Sequence, residues 1–415
     1  MKILKLSPYC TPERVSSSHL SADLEVAYRD AGFITEIYCP TPTRGISDEE
    51  YRQYKSIKYE EKHEGSMQIH RFSMFREGKN PILRAVRYGL VHLVQYQKGV
   101  RAKDVDVIMG GSTPPTQGLL CSAVKKRLSK KYKRNIPFIY NLQDVFPDSL
   151  VTAGLAKRGG LLWKIGRKIE NATYRAADAI IVIGDDIKKN IMAKGVEESK
   201  IHVIPNWIDT ETTTPVAFAE NALATELGIE DGKFRVVYAG NLGLMQGVDT
   251  LIRAAELLKE DDTVEFLIFG KGAAEEKLKA QAADLQNVRF FPLQPAERVA
   301  EVYSLGDACA VLCKAGTGGA GVPSKTWTIM ACARPLLISF DAGELCQTVQ
   351  TAKAGLCSSA ENAEALMRNI KALQTDAAQY GENARAYAVA HADKVQAVEK
   401  YVELIQNTVS TARNA

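Results

Sequence analysis

The chain has 415 residues, 46% hydrophobic and 25% charged, an ordinary balance for α/β proteins with large cores. No uncharged apolar run approaches the ~18 residues of a membrane span, and eight scattered cysteines without zinc spacing read as reduced core residues of a cytosolic protein rather than a disulfide framework. The net charge of +4 hides a division: residues 1–210 carry +11 and residues 211–415 carry −7, so the first half favours an anionic partner.

Met1 to Leu6 is a first strand; with Pro8 so close, MKILKLSPYC is too short for a signal peptide. A polar loop follows, then Leu20, Leu24, Ala27 and Ala31 at helical spacing, then a strand from Ile34 to Cys39. Ser16, Ser17 and His19 thus fall at the carboxyl end of a strand, where open α/β sheets bind ligands, although helix capping explains one serine equally well. Residues 42–80 are irregular, with Met67 to Phe72 as a strand of a hairpin. Pro81 to Arg101 forms an amphipathic basic helix, suited to packing on a core or to lying at a membrane surface. Asp106 to Met109 leads into GGSTPPT with Ser112 and Thr113, and Ile136 to Asn141 leads into LQDVFPD with Gln143 and Asp144. Between them seven basic residues crowd Lys125 to Arg134. Tyr132 is the one aromatic among them, too little for a nucleic-acid surface. Strands at Ile180–Ile183 and Val203–Ile204 complete the first series.

The stretch 218–233, FAENALATELGIEDGK, holds no strand and serves as a linker. A second series opens at Phe234 to Tyr238 with the loop AGNLGLMQGVD, then a strand Val264–Phe269 with GKG, and strands Val288–Phe291 and Ala308–Leu312. It continues through GTGGAGVPSKTWTIMACARPLLISF, residues 316–340: a glycine loop, Ser324 as N-cap, Lys325, a short helix and a buried strand. The fold class is α/β, two doubly wound parallel-sheet Rossmann-like domains. One spans 1–208 and the other 209–387, with a C-terminal helix from about 388 to 415 packing back on the first. Paired aspartates at 185–186 and 261–262 start helices, and no Asp-x-Asp ends a strand, so no metal site is expected.

These pieces together carry a family resemblance. IENATYRAADAIIVIGDD (169–186), VIPNWID (203–209), YAGNLGLMQGVD (238–249), IFGKG (268–272) and GVPSKTWTIMACARPLL (321–337) resemble the family 4 glycosyltransferases, retaining, metal-independent enzymes of the GT-B fold, whose two domains face across a cleft. QDVFPDSL (143–150) and the STPP loop (112–115) are similar to the N-acetyl-L-fucosamine transferases of capsule, O-antigen and colanic-acid assembly. The resemblance implies a UDP-sugar donor, with Gly240, Asn241, Gly243, Gln246, Ser324 and Lys325 at its diphosphate. It puts Gly270, Lys271, Gly272, Leu293 and Thr328 at the base and ribose, and Gly318, Gly319, Ala320 and Gly321 at the sugar. Lys325, Asp144 and Gln143 become catalytic candidates; Ser16, Ser17, His19, Ser112 and Thr113 would hold the acceptor. That acceptor is expected to be a polyprenyl-diphosphate-linked saccharide, used by an enzyme lying peripherally on the cytoplasmic face of the membrane, its basic first domain against anionic lipid. The departures are specific. An Arg and a Lys that many members use on the diphosphate stand here as Asn241 and Gln246, two glutamates as Ala320 and Thr328, and a histidine as Gln143. An isomerase acting on UDP-sugars in the same fold, and an inactive nucleotide-sugar-binding relative, remain alternatives.

Overall fold

The computed structural model describes residues 1–14, 18–78, 80–152, 154–318 and 321–414. The chain divides into Met1–Pro205 with Ala397–Ala415, and Asn206–Gln396. The first unit holds β1 (Lys2–Leu6), β2 (Ile34–Pro40), β3 (Tyr59–Lys62), β4 (Met67–Phe72), β5 (Val107–Gly111), β6 (Phe138–Leu142), β7 (Ala179–Val182) and β8 (Ile201–Val203). They lie in the order β3-β4-β2-β1-β5-β6-β7-β8. Ile3 sits opposite both Thr35 and Val107, and Ile108 opposite Phe138. Ile3, Leu4, Ile108, Phe138, Ile180 and Ile181 are wholly buried, as inner parallel strands covered on both faces require. The hairpin at residues 59–72 is present, and β3 is the antiparallel exception, a charged edge strand, YEEK, that discourages further pairing.

The second unit holds β9 (Phe234–Asn241), β10 (Val264–Lys271), β11 (Val288–Phe291), β12 (Ala308–Leu312), β13 (Leu336–Phe340) and β14 (Gly355–Ser359). Their order, β11-β10-β9-β12-β13-β14, is parallel throughout. Each sheet therefore reverses direction of strand addition beside its first strand, between β1 and β5 and between β9 and β12. Loops following those strands diverge there and leave a crevice at the carboxyl edge, the place where such sheets take ligands.

Two boundaries differ from expectation. Residues 218–233 are part of the second unit's core and not a linker: Leu223, Ala224 and Ile229 are buried with Val237 and Leu267, and the Asn221 side chain accepts from Leu223 N–H and donates to Glu301 O. Three apolar anchors in a polar stretch are enough to dock it. The chain also rejoins the first unit later than position 388, which lies within the second unit's helix Ala363–His391. The rejoining helix, Lys394–Asn414, buries Tyr401, Ile405 and Val409, and Arg413 reaches Asp106 at 2.7 Å. All eight cysteines are free thiols.

Candidate functional site

In the second unit the crevice is built by the loops after β9 and β12. The β12 loop is fastened on both sides. Lys314 N–H donates to Met245 O, and the Lys314 ammonium is held by Asp249 at 2.6 Å and Glu361 at 2.9 Å. Glu361 also accepts from Ala315 N–H at 3.1 Å. Asp341, just after β13, accepts from Gly316 N–H at 3.1 Å and Gly318 N–H at 2.9 Å. None of Lys314, Asp249, Glu361 or Asp341 stood out in the sequence. What they share is position, at a strand end or the first turn of a helix on the carboxyl edge, and that signal could have found them. Charge-assisted bonds from one carboxylate to two backbone amides are among the stronger loop anchors. Asp341→Ala is expected to raise the donor KM about tenfold with a smaller change in kcat, the signature of a loosened binding loop. Steady-state kinetics against donor concentration check it.

Lys325 behaves differently from Lys314. It starts the helix Lys325–Ala331, and its ammonium points back to the end of β9, donating to Ala239 O at 3.1 Å and lying 4.3 Å from the centre of the Tyr238 ring. No carboxylate pairs with it among the described residues, and burial pulls its pKa down to about 8. Gly240 makes room for it: a Cβ there would stand 2.8 Å from the ammonium nitrogen, and the backbone has φ +143°. The expectation for Ser324 fails. It is itself helical, exposed, and its hydroxyl caps nothing, because Pro323 O already accepts from Thr326 N–H in the turn that begins the helix.

Of the other residues expected on the donor side, those at the ends of β9 and β10 are in contact with one another. Gly270 pairs with Gly240 and Lys271 with Asn241 in sheet register; Leu242 N–H donates to Lys271 O, and the Tyr238 hydroxyl to Asn241 O. A Cβ on Gly270 would come within 2.3 Å of Gly240 O, and one on Gly272 within 2.5 Å of the Leu242 backbone. The chain's own packing therefore requires these glycines. Asn241 is exposed, Gly243 and Gln246 are half-buried, and Thr328 lies one helical turn beyond Lys325. Leu293 is exposed after β11, and Gly321 has φ +96°. Gly319 and Ala320 lie outside the described residues.

In the first unit the corresponding crevice lies after β1 and β5. Buried Gln95 and Gln117 tie it together, with Gln95 donating to Ser7 O and Tyr38 O and Gln117 to Leu6 O. His92 meets Gln117 at 3.0 Å and Thr116 at 3.4 Å. These three were not singled out in the sequence, since Gln95 and His92 look like ordinary polar-face residues of an amphipathic helix and Gln117 like an ordinary helix start. Ser112 is buried and its hydroxyl accepts from Gln143 N–H at 3.2 Å, joining the β5 and β6 loops. Thr113 is exposed. The Gln143 side chain is spent on Asn141, and burial raises the pKa of the Asp144 carboxyl, with Ser149 and the Val145 N–H pulling the other way. His19 is exposed in the first turn of the helix Ser18–Asp30; Ser16 and Ser17 lie outside the described residues.

The basic run 125–134 is not one free surface and is not at this edge. Lys125 binds Asp178 and Ala176 O, and Arg134 binds Val105 O, all just ahead of β7 and β5 at the amino edge of the sheet. A helix following β5 runs back along the sheet, so its last turn ends opposite the ligand edge.

Two Rossmann-like sheets in one chain, each with its crevice at the first strand, define the class: this is a GT-B fold. Residues 22–212 match the family model described as Glycosyltransferase Family 4, and residues 220–388 match Glycosyl transferases group 1. The chain belongs to the family 4 glycosyltransferases. It is 29% identical over 65% of its length, and 67% of the relative's, to the "Putative colanic acid biosynthesis glycosyl transferase WcaI" of Escherichia coli (strain K12). It is 25% identical over 75% of its length, and 77% of the relative's, to the "Probable glycosyltransferase WbjE" of Pseudomonas aeruginosa. Among solved structures, Anabaena Alr3699/HepE in complex with UDP superposes with a TM-score of 0.70 at 16% identity, over 98% of this chain and 100% of that one.

Proposed function

We propose that this glycosyltransferase moves a sugar from a UDP-sugar to a hydroxyl of a polyprenyl-diphosphate-linked saccharide in bacterial surface-polysaccharide assembly, with retention of configuration and without a metal ion. The observation that carries the reading is Lys325, a half-buried cation at the switch point of the second sheet with no carboxylate partner among the described residues. An ammonium held this way is costly until an anion arrives, and a diphosphate is the anion that a GT-B donor brings. Lys325 thereby supplies the charge that Asn241 and Gln246 lack. As the bond from sugar C1 to the diphosphate oxygen lengthens, negative charge grows on the diphosphate. Lys325 and the Gly240–Gly243 backbone stabilise that charge while the acceptor oxygen closes the new bond to C1 from the same face, and the acceptor proton passes to the departing diphosphate. HepE's complex with UDP supports a uridine nucleotide. An N-acetylated 6-deoxyhexose such as N-acetyl-L-fucosamine is the sugar proposed, and Asp144, Gln143, Ser112 and Thr113 stand on the acceptor side.

No helix among the described residues is long and apolar enough to cross a membrane. The proposed station is the inner face of the cell membrane, held reversibly, each Lys or Arg near anionic lipid adding about 1 kcal/mol.

NMR of a panel of UDP-sugars with the purified enzyme tests the chemistry. Slow hydrolysis of one donor, releasing UDP, is expected; accumulation of an epimer would replace the transferase by an isomerase, and inertness towards every donor would favour the inactive relative. Full turnover in excess chelator is expected as well, because Lys325 takes the place of a divalent cation; a rate that collapses and is restored by a metal would overturn that part.

A further inference from the structure

At the carboxyl edge of the first sheet, three guanidinium groups converge on one carboxylate. Glu77, after β4, is only 4% exposed and meets Arg44 at 2.6 Å, Arg84 at 3.0 Å and Arg87 at 3.7 Å. Tyr9, after β1, donates to Glu77 at 3.0 Å and lies 4.3 Å beneath the Arg44 guanidinium. The nearby Glu13, its carboxylate engaged by the N–H groups of Cys10, Thr43 and Arg44, adds a second negative charge, so three guanidiniums still outnumber the carboxylates. Arg87 is completely buried, and neither terminal nitrogen has a hydrogen-bond partner among the described residues. Arg44 and Arg84, by contrast, keep 36% and 42% of their side chains exposed. The buried charge of Arg87 behind two partly exposed guanidiniums leaves a net positive site, with the exposed faces of Arg44 and Arg84 as its donors. Its complement is a group with several anionic oxygens, because guanidinium binds phosphate through two N–H bonds at once.

The same helix supplies a second feature. Its first half, at this edge of the sheet, exposes Ile82, Leu83 and Val86 at 72%, 55% and 51%, on the turns that also carry Arg84 and Arg87. An apolar stripe beside a phosphate-type site suits a ligand with a charged head and a hydrocarbon tail.

We propose that Arg44 and Arg84, backed by the buried charge of Arg87, bind the diphosphate of a polyprenyl carrier, with its hydrocarbon lying against Ile82, Leu83 and Val86. This rests on the acceptor reading above and deepens it by assigning the residues that hold the lipid end. Flotation of the full chain with phosphatidylcholine vesicles containing a long-chain polyprenyl diphosphate tests it, against vesicles of matched charge made with phosphatidylglycerol. Soluble pyrophosphate serves as competitor. Wild type is expected to prefer the polyprenyl diphosphate vesicles and to be displaced by pyrophosphate. The R44Q/R84Q double variant is expected to lose about tenfold in vesicle affinity per guanidinium removed while binding UDP as wild type does. L83Q/V86Q is expected to keep pyrophosphate binding and lose the vesicles. Equal binding to both vesicle types, or an R44Q/R84Q variant with wild-type preference, would overturn the proposal. UDP binding is scored separately and reports on the donor reading, so the two can fail independently.

Discussion

Turnover is expected to fall by roughly a hundredfold or more when Lys325 becomes Ala, the scale of losing one transition-state charge contact in a low-dielectric site. The loss belongs to kcat and kcat/KM together, since the charge on the diphosphate peaks in the transition state. The wild type carries the same information in its pH profile. With the ammonium pulled down to about 8, kcat/KM falls as pH rises through that value, because the free enzyme sheds the proton. The kcat profile holds to higher pH, because a bound diphosphate keeps the ammonium charged. Stability moves in the opposite direction. Between about 8 and the ordinary 10.5 the unfolded chain keeps this proton and the folded chain does not, so this group makes the fold more stable as pH rises. A decline in kcat/KM there with an undiminished melting temperature is the expected pair of observations. A Lys325→Ala enzyme at wild-type rate under saturating donor would remove Lys325 from the mechanism.

Gly270→Ala is the second large effect. Its Cβ would press to 2.3 Å on Gly240 O and 2.8 Å on Leu242 Cγ, so a backbone segment and not a flexible side-chain tip must yield. Overpacking of this kind costs about 1–3 kcal/mol of stability. The functional cost adds to it, because the displaced segment carries the Gly240 pocket that seats the Lys325 ammonium. Donor KM rises and kcat falls, while a control at Gly89, where a Cβ meets nothing within 4 Å, leaves both unchanged. Thermal unfolding with and without UDP separates the contributions: a variant that is less stable and no longer shifted by UDP is expected.

The strands were legible because most inner ones carry a short apolar run ahead of a polar, glycine or proline loop, and Leu336-Leu337-Ile338 is as plain a buried strand as sequences offer. The ligand edge followed from connectivity, since every loop after a parallel strand emerges on the same side. The sequence misled where a residue's partner lies far away along the chain. Ser324 has the right side chain for a cap, but the Pro323 carbonyl closes the turn first. Lys125 and Arg134 look like free charges until Asp178 and the Val105 carbonyl arrive from other strands. Lys314 and Lys325 are alike on paper, and only the fold gives one two carboxylates and the other none. The Arg44, Arg84, Arg87 and Glu77 group draws on two separate loops and a helix, a convergence that no local spacing encodes.

The helix Lys394–Asn414 completes a unit whose other elements all precede residue 206. On the ribosome, the first unit is therefore begun before the second and completed after it. Through the synthesis of the entire second unit it waits with the seats for Tyr401, Ile405 and Val409 open, and Arg413 can reach Asp106 only after that unit has been made. The order of translation is thus not the order of completion. A fragment cut at Pro205 is an unfinished domain, whereas Asn206–Gln396 is continuous and can be excised whole.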